Sequence, residues 1–406
     1  MNVLIINLHS ALNLGDEAIM QETLHLLKKK YPESKIALMA NYPDSWNLYD
    51  DIDVFPSFYH YAISLKNSQH KIYEFFKCLL KLLSNLPKKE RCLMGDKYSS
   101  TINAIKCADI IFSCGGGNYY ANSFFCAGFL FNVLSLIYVG IQKKTIIMLP
   151  QSFGPFRYKI HYLILKFALK FPKKIFVREN ISYELLKHMG ISEKKIDVLP
   201  DLTFALSCDF KNKGQGLEKN HKCKIGITII NRRAQYKGFL DQESYQNSLI
   251  KSIRMLLEKF NASIYLFVQC YGPTDDQNDN TITQSIYNEC REYSNRIFLM
   301  NKYKESLKLI EDLSKMDFII ASRMHTAIFG MINKIPSILI GYQSKAKGLY
   351  DMFELENYYI PIENIDLQIL QEKILYALEN YRIYEEILNQ RTQKLKITIE
   401  DSILGI

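Results

Sequence analysis

Along this chain, short continuous apolar runs alternate with longer stretches in which apolar residues recur every three or four positions. That alternation predicts buried parallel strands joined by amphipathic helices. Residues 3–7, 35–41, 109–113, 145–149 and 174–177 read as strands of one series. Helical spacing follows at 18–30, where Ile19, Leu24, Leu26 and Leu27 share a face, and at 72–86 and 158–171. Within 72–86, Leu79, Leu80, Leu82 and Leu83 are expected to pack inward. From 209 to 222 the pattern stops in favour of lysine, asparagine and glycine, the signature of a linker. A second series follows, with strands at 224–230, 263–268, 317–321 and 337–340 and helices near 244–260 and 305–315.

These runs predict an α/β protein of two doubly wound, Rossmann-like domains facing each other across a cleft between strand ends. The expected division is a domain over 1–208, a linker over 209–222, a second domain over 223–365, and amphipathic helices over 366–406. Two stretches complicate the picture. Residues 124–141 carry no charge and match a membrane span in length. Their place between two strands, with Asn132, Ser135 and two glycines, instead predicts a buried helix or one packed on a partner subunit. A peripheral membrane contact stays open if part of that helix is exposed. Residues 42–100 are the least legible, and both an acceptor-binding element and a cover for a sheet edge fit them.

Composition narrows the field. At 406 residues and 48% hydrophobic, the chain can bury the cores of two or three domains. A net charge of +9 would attract anionic small molecules, an anionic membrane face or nucleic acid. The lysines are dispersed, without a basic run interleaved with aromatics, so nucleic acid is not expected as a partner. Nine cysteines, an odd number with no C-x-x-C pair, predict free thiols, a reducing compartment and no structural zinc. The start of the chain enters a strand directly, without the basic and apolar regions of a secretory signal, and the expected location is the cytoplasm.

Candidate chemistry collects where strands hand over to helices. Ser322, Arg323 and His325 follow the strand at 317–321, and in an extended segment Arg323 and His325 project to the same side. A fixed cation and a titratable imidazole would then share one anion-receiving mouth beside a helix start. Taken alone, an R-x-H tripeptide reads first as an arginine and a histidine on a solvated loop, and the surrounding segments must carry the chemical reading. Asn13, Gly15 and Asp16 form a first βα loop with a capping residue and a glycine, which serves either a plain N-cap or a ligand contact. Gly115, Gly116 and Gly117 end the third strand, as a tight turn or as a cradle of N–H groups. Gln151 lies in the expected loop 150–155. Arg178 stands at the end of the strand at 174–177, suited to a planar anion or to a surface pairing with Glu179 or Glu184. Asn231, Arg232 and Arg233 offer a second anion contact, and Lys345 and Lys347 lie close to a helix start. The G-x-G-x-x-G fingerprint of a dinucleotide cofactor is missing, which makes hydride transfer remote.

Taken in order, several of these segments resemble the landmarks of the polysaccharide pyruvyltransferase family. They are Asn13-Leu-Gly-Asp-Glu-Ala18, Gly115-Gly-Gly117, Gln151-Ser-Phe-Gly-Pro-Phe156, Val177-Arg-Glu179 with Ser182, Pro200-Asp-Leu-Thr-Phe204 and Ser322-Arg-Met-His-Thr-Ala-Ile-Phe329. The resemblance implies a glycosyltransferase-B-like fold that moves the enolpyruvyl unit of phosphoenolpyruvate onto a sugar, usually as a cyclic ketal. It implies His325 as the proton relay, with Arg323 beside it. Arg178 and one of Lys345 and Lys347 would meet the donor, and the Asn13, Gly15, Asp16, Gly115–Gly117, Gln151 and Ser322 positions would line the substrates. It implies no cofactor and no metal, a C-terminal tail that crosses back to the first domain, and work in cell-surface polysaccharide assembly, in the cytoplasm or at the inner face of the membrane. Two other readings share the fold: a nucleotide-sugar-dependent glycosyltransferase and a non-catalytic glycan-binding relative. The acceptor sugar, its carrier, whether lipid, nucleotide or polymer, and the oligomeric state are open at this level.

Overall fold

A computed structural model of the protein describes residues 1–65, 67–84, 97–207, 223–232, 239 and 241–406. The expected linker 209–222, Arg233 and part of the 42–100 stretch lie outside the described residues. The chain forms two compact units. One comprises Met1–Ala11, Ile19–Leu202 and Ser402–Ile406; the other comprises Leu12–Ala18 and Thr203–Asp401. The stretch Leu12–Ala18, which the hydrophobic pattern assigns to a continuous first domain, therefore groups with the second. Backbone bonds explain why: Leu14 N donates to the Gln269 carbonyl and Tyr271 N to the Leu12 carbonyl. At the other end, the Lys30 ammonium donates to the Leu404 carbonyl within the first unit.

The first unit is built on eight parallel strands: β1 Asn2–Leu8, β2 Lys35–Ala40, β3 Asp53–Pro56, β4 Ile110–Ser113, β5 Gly116–Ala121, β6 Thr145–Phe156, β7 Lys174–Val177 and β8 Ile196–Val198. Their order is β3-β2-β1-β4-β6-β7-β8, with β5 also paired to β6. The central strands are apolar on both faces because helices cover both. Strands β3 and β8 escape detection in the sequence, since Asp53 and Pro56 leave β3 only two apolar residues and Asp197 interrupts the three residues of β8. The loops expected at 115–118 and 150–155 are corrected to strand from Gly116 onward and throughout 150–155. Gly116 pairs with Gln151, Tyr119 with Phe153 and Ala121 with Phe156, and the Tyr119 and Phe153 rings stack at 5.3 Å. This pairing and stacking overcome the weak strand propensity of glycine and proline.

One helix buries a different face from the one expected. In Ser68–Ser84, Cys78 and Leu82 are buried, but Leu80 and Leu83 face solvent rather than the core. The helix Ala127–Ile141 is largely buried, and among the described residues no helix is long and apolar enough to cross a membrane.

Six parallel strands make the second unit: β9 Lys224–Thr228, β10 Ser263–Phe267, β11 Ile297–Met300, β12 Phe318–Ala321, β13 Ser337–Gly341 and β14 Tyr359–Pro361, in the order β11-β10-β9-β12-β13-β14. In each sheet the direction of winding reverses once, beside β1 and β4 and beside β9 and β12. Such reversals open a crevice at the carboxyl ends of the strands, where ligands of doubly wound sheets bind. The tail forms two helices, Leu367–Glu379 and Tyr381–Leu404.

Candidate active site

Strand β12 is short, wholly buried and apolar, and it delivers Ser322, Arg323 and His325 to the crevice of the second sheet. Ser322 N donates to Thr228, anchoring the turn to the end of β9, and its hydroxyl lies 2.7 Å from the Tyr245 hydroxyl. Arg323 is still extended at φ −115° and ψ 127°, and the helix Met324–Ile332 starts directly after it. His325 thus occupies the first helical turn, buried to 7% exposure, with its ring 6.2 Å from that of Phe329.

The pocket here is lined by Asn13, Asp16, Gln269, Ser322, Arg323, His325, Tyr342 and Lys345, with Leu339, Ile340 and Gly341 as its floor. Every one of these residues belongs to the second unit. The glycine of the first motif has a definite reason: a Cβ on Gly15 would lie 2.2 Å from His325 Nδ1. Its N–H donates to Asn13 Oδ1 at 3.2 Å, and the same oxygen accepts from Gln269 Nε2 at 3.4 Å. Gln269 in turn accepts from the Thr326 hydroxyl at 2.6 Å, which ties the Asn13 loop to the helix that carries His325. Glu17 stays out of the pocket and accepts from Ser306 N at 2.8 Å.

Arg323 does not face the pocket as a bare cation. Its Nε and Nη2 donate to the two oxygens of Asp279 at 2.8 and 2.6 Å, a bidentate pair in a buried setting. Its Nη1 reaches the Tyr342 hydroxyl at 3.4 Å, and the Arg232 guanidinium lies 4.9 Å from the Tyr342 ring centre. Burial pushes the Asp279 carboxyl above its ordinary range, against the pull of Arg323. On the arginine burial opposes the charge, and Asp279 outweighs it, so the guanidinium titrates well above its usual value. Of the two lysines, Lys345 lines the pocket, while Lys347 pairs with Asp351 at 2.6 Å on the surface of its helix.

The remaining landmarks meet in the first unit. Arg178, buried, donates through Nη1 to Asp201 at 2.5 Å and through Nε and Nη2 to the Ser152 hydroxyl at 3.1 and 2.9 Å. Ser152 donates to Glu179, which also accepts from Ser182, and Ser182 accepts from Phe153 N. The expected surface pairing of Arg178 with Glu179 or Glu184 is replaced by this internal network. Gln151 sits beside it, fully buried, with neither side-chain amide atom hydrogen-bonded among the described residues. Gly115 approaches the Pro150 carbonyl closely enough that a Cβ would sit 3.1 Å away, Gly116 has φ +129°, and Gly117 belongs to β5.

Asp279, Gln269 and Tyr342 were not singled out by the sequence. Gln269 could have been found, because it stands two residues past the end of β10, where ligand-facing side chains collect. Asp279 lies in the acidic run 275–279, whose three aspartates look alike until the fold chooses one. Among the described residues no cluster of histidine, cysteine and carboxylate side chains has the makings of a metal site, and the seven described cysteines are free thiols.

Two parallel-sheet units of this winding define the glycosyltransferase-B-like class. The UDP-N-acetylglucosamine 2-epimerase of Neisseria meningitidis, bound to UDP-N-acetylglucosamine, shares the fold with a TM-score of 0.59 at 11% identity, covering 100% of this chain and 99% of its own. The S. aureus MnaA–UDP co-structure gives a TM-score of 0.60 at 10% identity over 95% of this chain and 90% of its own. The model of the polysaccharide pyruvyl transferase family matches residues 13–344, and the chain belongs to that family, a group of transferases. The amylovoran biosynthesis protein AmsJ of Erwinia amylovora is 18% identical over 98% of this chain and 97% of its own length.

Proposed function

We propose that the protein transfers the pyruvyl unit of phosphoenolpyruvate to two hydroxyls of a sugar in a cell-surface polysaccharide or its precursor. The observation that carries this reading is the first-turn imidazole of His325, buried against Gly15 in a pocket that also holds Asp16 and Lys345. In this reading Lys345 and the first N–H groups of the helix Met324–Ile332 receive the donor's anionic groups. His325 relays protons: the enol methylene gains one, and a sugar hydroxyl that adds to the neighbouring carbon loses one. The carbon–oxygen bond to phosphate then breaks, and a second hydroxyl closes the ketal, its proton leaving with the phosphate. One donor and two hydroxyls thus become one ketal and one phosphate, with no redox change and no metal step.

Arg323, held by Asp279, acts by fixing the turn and the Tyr342 hydroxyl, not by presenting an uncompensated charge. Gln151, buried with its amide unpaired beside the Arg178 network, is proposed to meet the acceptor in the first unit. There the same network holds the strand ends in place. A donor made inside the cell places the reaction in the cytoplasm.

A nucleotide-sugar donor is the second reading, favoured by the UDP found in fold relatives. Incubation with phosphoenolpyruvate and a panel of lipid-linked and nucleotide-linked sugars decides between them. A product carrying the mass of a pyruvate ketal, with one phosphate released, is the expected result. Glycosyl transfer from a UDP-sugar without any phosphoenolpyruvate turnover would overturn it.

A further inference from the structure

We propose that one helical face of the first unit docks on an anionic lipid bilayer. The helix Ser68–Ser84 presents Tyr73, Phe76, Leu80 and Leu83 to solvent, a stripe at helical spacing on the side opposite its buried Cys78 and Leu82. A second stripe, Ile160, Leu163 and Phe167, runs along the helix Lys159–Ala168. These side chains and Phe124 are between 41% and 69% exposed, far above what a helix needs to cover a core.

The two stripes belong to one face. Both helices pack against the helix Ala127–Ile141, which lies between them and shows partly exposed Leu130 and Ile137. The loop before it bridges the gap: the Phe125 ring contacts Phe75 of the first helix at 6.2 Å. Phe124 contacts Tyr158 at the start of the other helix at 5.6 Å, and its carbonyl meets His161.

Charge selects the occupant. Beside these stripes the two helices carry Lys77, Lys81, Lys159 and Lys166, with Arg157 and Lys170 just beyond the ends of the second. Their one carboxylate, Glu74, is buried and held by Lys97 at 2.5 Å and by the Tyr98 hydroxyl, so it contributes little outward charge. Apolar stripes edged by cations alone suit the boundary between headgroups and acyl chains of an anionic membrane. A self-complementary protein contact would need carboxylates opposite those lysines, and these helices offer none to solvent.

The test is flotation of the full chain with vesicles of phosphatidylcholine, either alone or with about 30% phosphatidylglycerol, the anionic component that basic residues recognise. The protein is expected to rise with the anionic vesicles and to stay behind with the neutral ones. The double variant Leu80→Glu, Leu163→Glu is expected to reduce the bound fraction about tenfold or more. Both positions are exposed, so folding is retained, and Leu80→Ser, Leu163→Ser provides an uncharged check. Wild-type protein that floats with neither vesicle overturns the proposal, as does a double variant that floats like wild type. If sedimentation instead reveals a dimer that the double variant splits, the face belongs to a second copy of the chain. The readout is binding alone, so its outcome is separate from that of the pyruvyl reading.

Discussion

At position 15 any side chain larger than hydrogen would meet the imidazole of His325, so the glycine and the histidine are packed against each other although most of the chain separates them. Gly15→Ala should displace the ring and lower turnover by about a hundredfold, the usual effect of misplacing a reacting group by about 1 Å. Phosphate release from phosphoenolpyruvate with the true acceptor measures it, and wild-type turnover would detach the glycine from the chemistry. His325→Ala should lower the same rate by about 10² to 10⁴, leaving the circular dichroism spectrum unchanged. Asp279 calls for a different expectation. Asp279→Ala strands the buried guanidinium of Arg323, and removal of one partner of such a pair destabilises by about 3–5 kcal/mol. A melting temperature lowered by roughly 10 °C should report it; a melt like wild type would show that Arg323 finds other partners.

At the level of elements, the ordered motifs sort into two groups that sequence order conceals. Asn13-Leu-Gly-Asp16 and Ser322-Arg-Met-His325 come together at the end of β12. Ser152 of β6, Arg178, Glu179 and Ser182 after β7, and Asp201 after β8 come together in the first unit. The second group ties strand β6 to the segments that follow β7 and β8 through a buried ion pair and two hydroxyls. Asp201→Ala should therefore destabilise the first unit by about 3–5 kcal/mol. Replacing both partners, as Arg178→Met with Asp201→Leu, should restore much of that loss, because no charge is then left buried. Denaturant melts of the two variants give the comparison, and equal losses in both would mean that the pair is not the stabilising contact. β5 and the long β6 belong at this scale as well. Their pairing turns segments with loop composition into strand and places Gln151 in register with Gly116 and Val177.

For the molecule as a whole, a net charge of +9 and a pocket that holds Lys345 favour an anionic donor, but two donor types remain chemically suited to the fold. Thermal unfolding separates them. Phosphoenolpyruvate at about a hundred times its dissociation constant should stabilise the protein by about 2.7 kcal/mol, and UDP should leave it unchanged. Stabilisation by UDP alone would assign the pocket to a nucleotide sugar.

Much of this protein is readable from its sequence because local patterning decides it. Buried parallel strands must be continuously apolar and amphipathic helices must repeat every three or four residues, so two α/β series and their strand-end loops stand out along the chain. The motif at Ser322–His325 was legible for the same reason, since a strand hands over to a helix there. What local pattern cannot carry is the partner across space. That Arg323 is neutralised by Asp279 and Arg178 by Asp201, that Lys345 and not Lys347 reaches the pocket, and that Leu80 points outward all depend on which elements lie alongside. Leu12–Ala18 joins the second unit through hydrogen bonds to residues more than two hundred positions away. Periodicity fixes which side of an element is apolar, whereas only the folded chain determines what that side meets.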